Sequence, residues 1–162
     1  MLDRLYIQGI RSFSPKHGEN IEFYTPLTLI VGKNGSGKTT IIECLRYATT
    51  GDMPPNTKGG AFVHDPKLYG EDEVKASVKL RYSNSDGQKF GSTRVLSLTR
   101  KKTKYELKTL ENTVSVKAKG EEDYKTATAR CVNADDFVSD TLGVSPAILS
   151  NVIFCHQEDS NW

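Results

Sequence analysis

Residues Gly32-Lys33-Asn34-Gly35-Ser36-Gly37-Lys38-Thr39-Thr40 decide the fold. They follow the apolar run Leu27-Thr28-Leu29-Ile30-Val31 and precede Ile41-Ile42-Glu43-Cys44-Leu45, an order that reads as strand, glycine-rich loop, helix. The spacing Gly32-x-x-x-x-Gly37-Lys38-Thr39 suits phosphate, because glycines let backbone N–H groups converge on phosphate oxygens while the next helix aims its positive end at them. Lys38 is expected to reach the β- and γ-phosphates of a nucleoside triphosphate, and Thr39 to offer its hydroxyl to magnesium. The pattern predicts an α/β chain on a P-loop NTPase core.

Outward from the loop, Arg4 to Ile10 and Asn20 to Tyr24 are short β-prone stretches separated by Ser14-Pro15-Lys16-His17-Gly18, which predicts a hairpin. Leu27 to Val31 reads as a buried strand opened by Pro26. The helix launched at Lys38 should stop at Gly51, and Asp52 to Gly60, with two prolines and two glycines, should be a loop. From Glu73 the period becomes two: Val74, Ala76, Val78, Leu80 and Tyr82 alternate with Lys75, Ser77, Lys79 and Arg81, a half-buried strand with a basic outer face. Further β stretches are predicted near 92–100, 104–110 and 113–118, which makes an antiparallel meander. A helix is expected over Ala134 to Leu142, then a short one at Ser145-Pro146 and a closing strand from Asn151 to Cys155. The divisions are a hairpin over 1–26, a P-loop core over 27–60, a meander over 72–119 and a helical segment over 121–162.

The 162 residues suffice for one ordinary domain with a real core. No run has membrane-spanning length and the N-terminus lacks the pattern of a secretory signal, so no membrane partner is expected. The odd set Cys44, Cys131 and Cys155 fits reduced thiols, and Cys155-His156 reads as a packed thiol beside a histidine rather than a metal site. Net charge is only +2, but Arg94, Arg100, Lys101, Lys102, Lys104 and Lys108 crowd one stretch, a candidate polyanion surface whose plainer alternative is a solvated sheet face. P-loop NTPases also need an acid at the tip of a second buried strand. Val152 to Asp159 imitates one, yet His156 and Gln157 come before the first carboxylate. Asp140-Thr141-Leu142-Gly143 and Asn133-Ala134-Asp135-Asp136 match GTPase motifs only formally.

Together with the loop, Gly9-Ile10-Arg11-Ser12-Phe13, Gly51-Asp52-Met53-Pro54-Pro55, Phe62-Val63-His64-Asp65-Pro66 and the ending Asn151 to Trp162 resemble the N-terminal ATPase lobe of the eukaryotic Rad-fifty family, SMC-like ATPases of ABC type that serve DNA double-strand-break repair. The resemblance implies half of a split fold, with a coiled coil and a C-terminal lobe lying elsewhere. It implies that Arg11, Asn34, Gly35, Ser36, Gly37, Lys38, Thr39, Thr40, Val63 and Asp65 surround ATP. Gln157 would complete the Mg2+ shell with Thr39 and share catalysis with Lys38. On their own, Arg11 reads as a strand-end charge, Asp65-Pro66 as a turn and Gln157 as a loop residue. The resemblance further implies a nuclear, chromosome-associated protein. Its partners would be its own C-terminal lobe, a second copy, an Mre-eleven-type nuclease and double-stranded DNA, with the family's zinc hook outside this stretch. A binding module that never hydrolyses, or a P-loop kinase, is the rival from residues alone.

Overall fold

The computed structural model describes residues 1–55, 57, 60–102, 104–118, 123–128, 131–149, 153 and 154, with backbone alone for 128 and 131–133. Its elements are β1 (Leu2–Gln8), β2 (Glu19–Glu22), α1 (Lys38–Thr50), α2 (Pro66–Tyr69), β3 (Glu73–Ser83), β4 (Lys89–Arg100), β5 (Tyr105–Lys117), β6 (Tyr124–Thr128), α3 (Cys131–Leu142) and α4 (Pro146–Ile148). The strands form one sheet in the order β2-β1-β3-β4-β5-β6, with every neighbouring pair antiparallel. Two central strands explain the layering. In β3, Val74, Ala76, Val78, Leu80 and Tyr82 are buried while Lys75, Lys79 and Arg81 are exposed, so the period-two pattern separates a core face from a basic outer face.

Helix α1 covers the core face. Its buried residues Thr40, Glu43, Cys44, Tyr47 and Ala48 recur at helical spacing and make one stripe, flanked by Leu45 and Thr49. The helix stops at Gly51, whose φ of 79° suits a residue without Cβ and whose N–H donates to the Tyr47 carbonyl at 3.0 Å. Leu5 and Ile7 of β1, Phe62, Leu96 and Leu98 of β4, Val114 of β5 and Val138 of α3 join the same core. At its far end Tyr82 stacks on Phe90, with centroids 5.5 Å apart, and shares a 2.7 Å hydrogen bond with Thr141 of α3.

Two expectations are corrected. Residues 27–31 form no strand, and Leu27, Leu29 and Val31 are 78, 80 and 80 % exposed, because no sheet edge reaches them in the described chain. The stretches expected at 104–110 and 113–118 are one strand, β5, continuous through Glu111 and Asn112 with its irregularity absorbed opposite Val95 and Leu96. The closing strand expected over Asn151 to Cys155 lies mostly outside the described residues; only Ile153 and Phe154 are described, and the Phe154 N–H donates to the Leu149 carbonyl at 3.0 Å.

Candidate functional site

The loop before α1 is built around two left-handed glycines, Gly35 at φ 81° and Gly37 at φ 90°. That conformation costs a residue with a Cβ about 1–2 kcal/mol, so the glycines of the motif are used for backbone shape. A Cβ on Gly37 would also meet the Phe13 ring at 3.2 Å, so the Gly9–Phe13 segment lies directly against the loop. Asn34, Gly35 and Ser36 are exposed, and the Ser36 N–H closes a turn on the Lys33 carbonyl at 3.2 Å. The Lys38 ammonium spans the loop, donating to the carbonyls of Gly32 at 2.7 Å and Lys33 at 2.8 Å. Thr39 is exposed beside it, whereas the Thr40 side chain is buried, leaving that residue its backbone N–H at the helix start. This cradle of exposed loop backbone, one lysine and a free first turn fits a triphosphate chain.

Arg11 reaches the same helix from the other side. Its φ of 45° is in the left-handed region, held by the antiparallel bridge between Ile10 and Val63, in which the Arg11 N–H donates to the Phe62 carbonyl at 3.0 Å. Its guanidinium pairs with the buried Glu43 carboxylate of α1 at 2.9 Å. His64 meets the Arg11 carbonyl through Nδ1 at 2.5 Å. Beyond lies a cavity of about 410 Å³ whose walls include Arg11, Ala61, Val63, Asp65, Leu98 and Tyr105. Asp65 caps α2 by accepting the Lys67 N–H at 2.8 Å and also accepts the Tyr105 hydroxyl at 3.2 Å. Partial desolvation, and then that bond, push the Tyr105 phenol up.

Arg11, Val63 and Asp65 are therefore brought to one cavity. Phe13, Glu43, His64, Leu98 and Tyr105 were not anticipated. An acid inside the apolar stripe of α1 marked Glu43, but nothing in spacing pairs His64 with a residue fifty-three positions away. Gln157, expected on the metal, lies outside the described residues, as do Cys155 and His156.

The basic stretch divides. Arg94, expected on DNA, is 3 % exposed, and this is a correction. Register pairs it with the inward Val78, so its side chain enters the core, ion-paired to Asp135 of α3 at 2.6 Å, reaching the Ala48 carbonyl at 3.4 Å and lying 5.2 Å from the Tyr47 ring centroid. Arg100, Lys101, Lys102, Lys104 and Lys108 stay exposed around the β4–β5 turn. Arg100 pairs with Asp72 at 3.1 Å, and Glu106 is flanked by Lys101 and by Lys108 at 3.1 Å, which holds its carboxyl below the usual range.

Residues 4–162 match the AAA domain family. The chain is 55 % identical over 161 residues to the DNA repair protein rad50 of Schizosaccharomyces pombe, covering 99 % of this chain and 12 % of that protein. It is 45 % identical over 162 residues to the DNA repair protein RAD50 of Arabidopsis thaliana, again covering 99 % and 12 %. Against the DNA double-strand break repair Rad50 ATPase of Methanopyrus kandleri it is 32 % identical over 90 residues, covering 56 % of this chain and 9 % of that protein. The chain thus spans about an eighth of the length of the eukaryotic relatives it matches. With the phosphate loop, the helix behind it and a match over nearly every residue, the chain belongs to the AAA domain family of P-loop NTPases.

Proposed function

We propose that this chain is the ATP- and Mg2+-binding half of a nuclear DNA-repair ATPase that dimerises around ATP, binds double-stranded DNA and controls a partner nuclease in double-strand-break repair. One observation carries it: a phosphate cradle stands next to an apolar row, Leu27, Leu29 and Val31, that the described chain leaves exposed. Burying each of those side chains is worth about 1.5–3 kcal/mol, a strong incentive to add strands from elsewhere. The occupant that fits is the C-terminal ATPase lobe of the same protein, since the chain spans 12 % of its eukaryotic relatives and they are named as DNA repair proteins.

In the assembled enzyme Asn34 to Thr40 and Arg11 would hold the phosphates, with Val63 and Asp65 beside the nucleotide. Thr39 and Gln157 would hold Mg2+, which when bound neutralises charge on the β- and γ-phosphates. Lys38 supplies a fixed ammonium at the loop mouth. What these residues contribute is position and charge neutralisation; the activating base would come from the other lobe. Arg100, Lys101, Lys102, Lys104 and Lys108 would meet DNA phosphates.

The test is ATP-dependent dimerisation of the full-length protein, followed by light scattering with and without Lys38→Ala. The substitution is expected to abolish the ATP-driven dimer while leaving the ATP-free state unchanged. A variant that still dimerises on ATP removes Lys38 from the interface with the nucleotide.

A further inference from the structure

Arg11 is the one non-glycine residue with positive φ among the described residues, and such a conformation persists only where its surroundings hold it. Two backbone hydrogen bonds do so, Arg11 N–H to the Phe62 carbonyl at 3.0 Å and His64 N–H to the Gly9 carbonyl at 2.9 Å, and together they make the antiparallel bridge between Ile10 and Val63. Any residues at 62–64 could supply these. A third link depends on the side chain, because the His64 ring places Nδ1 2.5 Å from the Arg11 carbonyl. A carbonyl only accepts, so Nδ1 carries the proton and the tautomer is fixed. Tyr69 meets the ring edge-on, with centroids 6.3 Å apart and planes at 90°, which sets its orientation. On its far side Arg11 ends on Glu43, in the helix that begins with Lys38.

We propose that His64 is the positioning residue for Arg11: it pins the Arg11 carbonyl and so directs the guanidinium along the P-loop helix toward the phosphates. His64 touches no nucleotide itself. Its role rests on Arg11 facing the phosphates, as proposed above.

The experiment is titration of the full-length protein with Mg-ATP, using Arg11→Ala, His64→Phe, His64→Asn and the double variant Arg11→Ala with His64→Phe. Phenylalanine keeps a ring against Tyr69 and loses the donor; asparagine loses the ring but carries an N–H where Nδ1 stood. We expect Arg11→Ala to weaken ATP binding about tenfold and His64→Phe about fivefold. His64→Asn is expected to restore affinity to within about twofold of the parent, and the double variant to bind no worse than Arg11→Ala. Should His64→Phe fail to fold, His64→Leu takes its place in the cycle. The proposal is overturned if His64→Phe costs the same factor in the Arg11→Ala background, or if His64→Asn is as weak as His64→Phe. Arg11→Ala binding ATP as well as the parent overturns the placement of Arg11 beneath it, a result distinct from additivity.

Discussion

Arg94 shows what a single side chain can decide. With β4 alternating Phe90, Ser92, Arg94, Leu96 and Leu98 toward the core, the guanidinium is committed to the interior and to Asp135. Arg94→Leu is expected to cost about 1–2 kcal/mol of stability, since it removes the ion-pair partner of the half-exposed Asp135, leaving it Asn112 Nδ2 at 3.4 Å, and breaks the tie between α1, β4 and α3. Chemical denaturation measures this, and the same variant should leave the salt dependence of DNA binding untouched; a lower salt slope would return Arg94 to the DNA surface. The parity with Leu96 and Leu98 was visible in the sequence, but counting charge along the chain hid it. Cys44 offers a second check. Burial pushes its thiol far up, so it stays protonated and unreactive at neutral pH. Mass mapping after alkylation of the folded protein should find Cys44 unmodified, and rapid labelling would contradict its place in the core. The phosphate loop was legible because its chemistry fixes residue types at fixed spacing. The bonds of Arg11 to His64 and Glu43 were not, because folding alone brings them together.

Among the elements, the segment 27–31 departs most from its sequence signature. Alternating Leu27, Leu29 and Val31 read as core, and in the described chain they are bare. A hydrophobic row records what the complete fold buries without saying which part of the fold supplies the cover. Leu29→Asp is therefore expected to change the stability of this chain by no more than about 0.5 kcal/mol, the surface norm. In the full-length protein the same change should destabilise the ATPase head by several kcal/mol, of order 3 for an uncompensated charge. Paired thermal melts read both; equal effects in the two settings would show that this chain buries the row by itself. The end of α1 is a sharper local test. Gly51 is left-handed and a Cβ there would stand 2.7 Å from Asp135 Oδ2, so Gly51→Ala should destabilise by about 1–2 kcal/mol. β3, by contrast, was readable residue by residue, since its period of two needs only a sheet with one wet face.

For the molecule as a whole, the sheet brings together two proposed sites that the sequence kept apart. Its β4–β5 turn carries Lys101, Lys102 and Lys104, and the next residue, Tyr105, is hydrogen-bonded to Asp65 in the wall of the cavity proposed for the nucleotide. Replacing those three lysines by alanine should weaken DNA binding and flatten its salt dependence by roughly 2–3 units of slope, irrespective of DNA sequence. An unchanged slope would move the DNA path to another face. The meander and the P-loop helix were legible in outline; that no described residue covers 27–31 was not, because an apolar run does not say what covers it. The central claim is that this chain grips ATP but does not finish the reaction alone. Steady-state ATP hydrolysis by the chain alone, and then with the C-terminal lobe and DNA added, tests it most directly. Binding without turnover alone, and turnover restored on adding the lobe and abolished by Lys38→Ala, is the predicted result. Full turnover by the chain alone, indifferent to the added lobe, would contradict it.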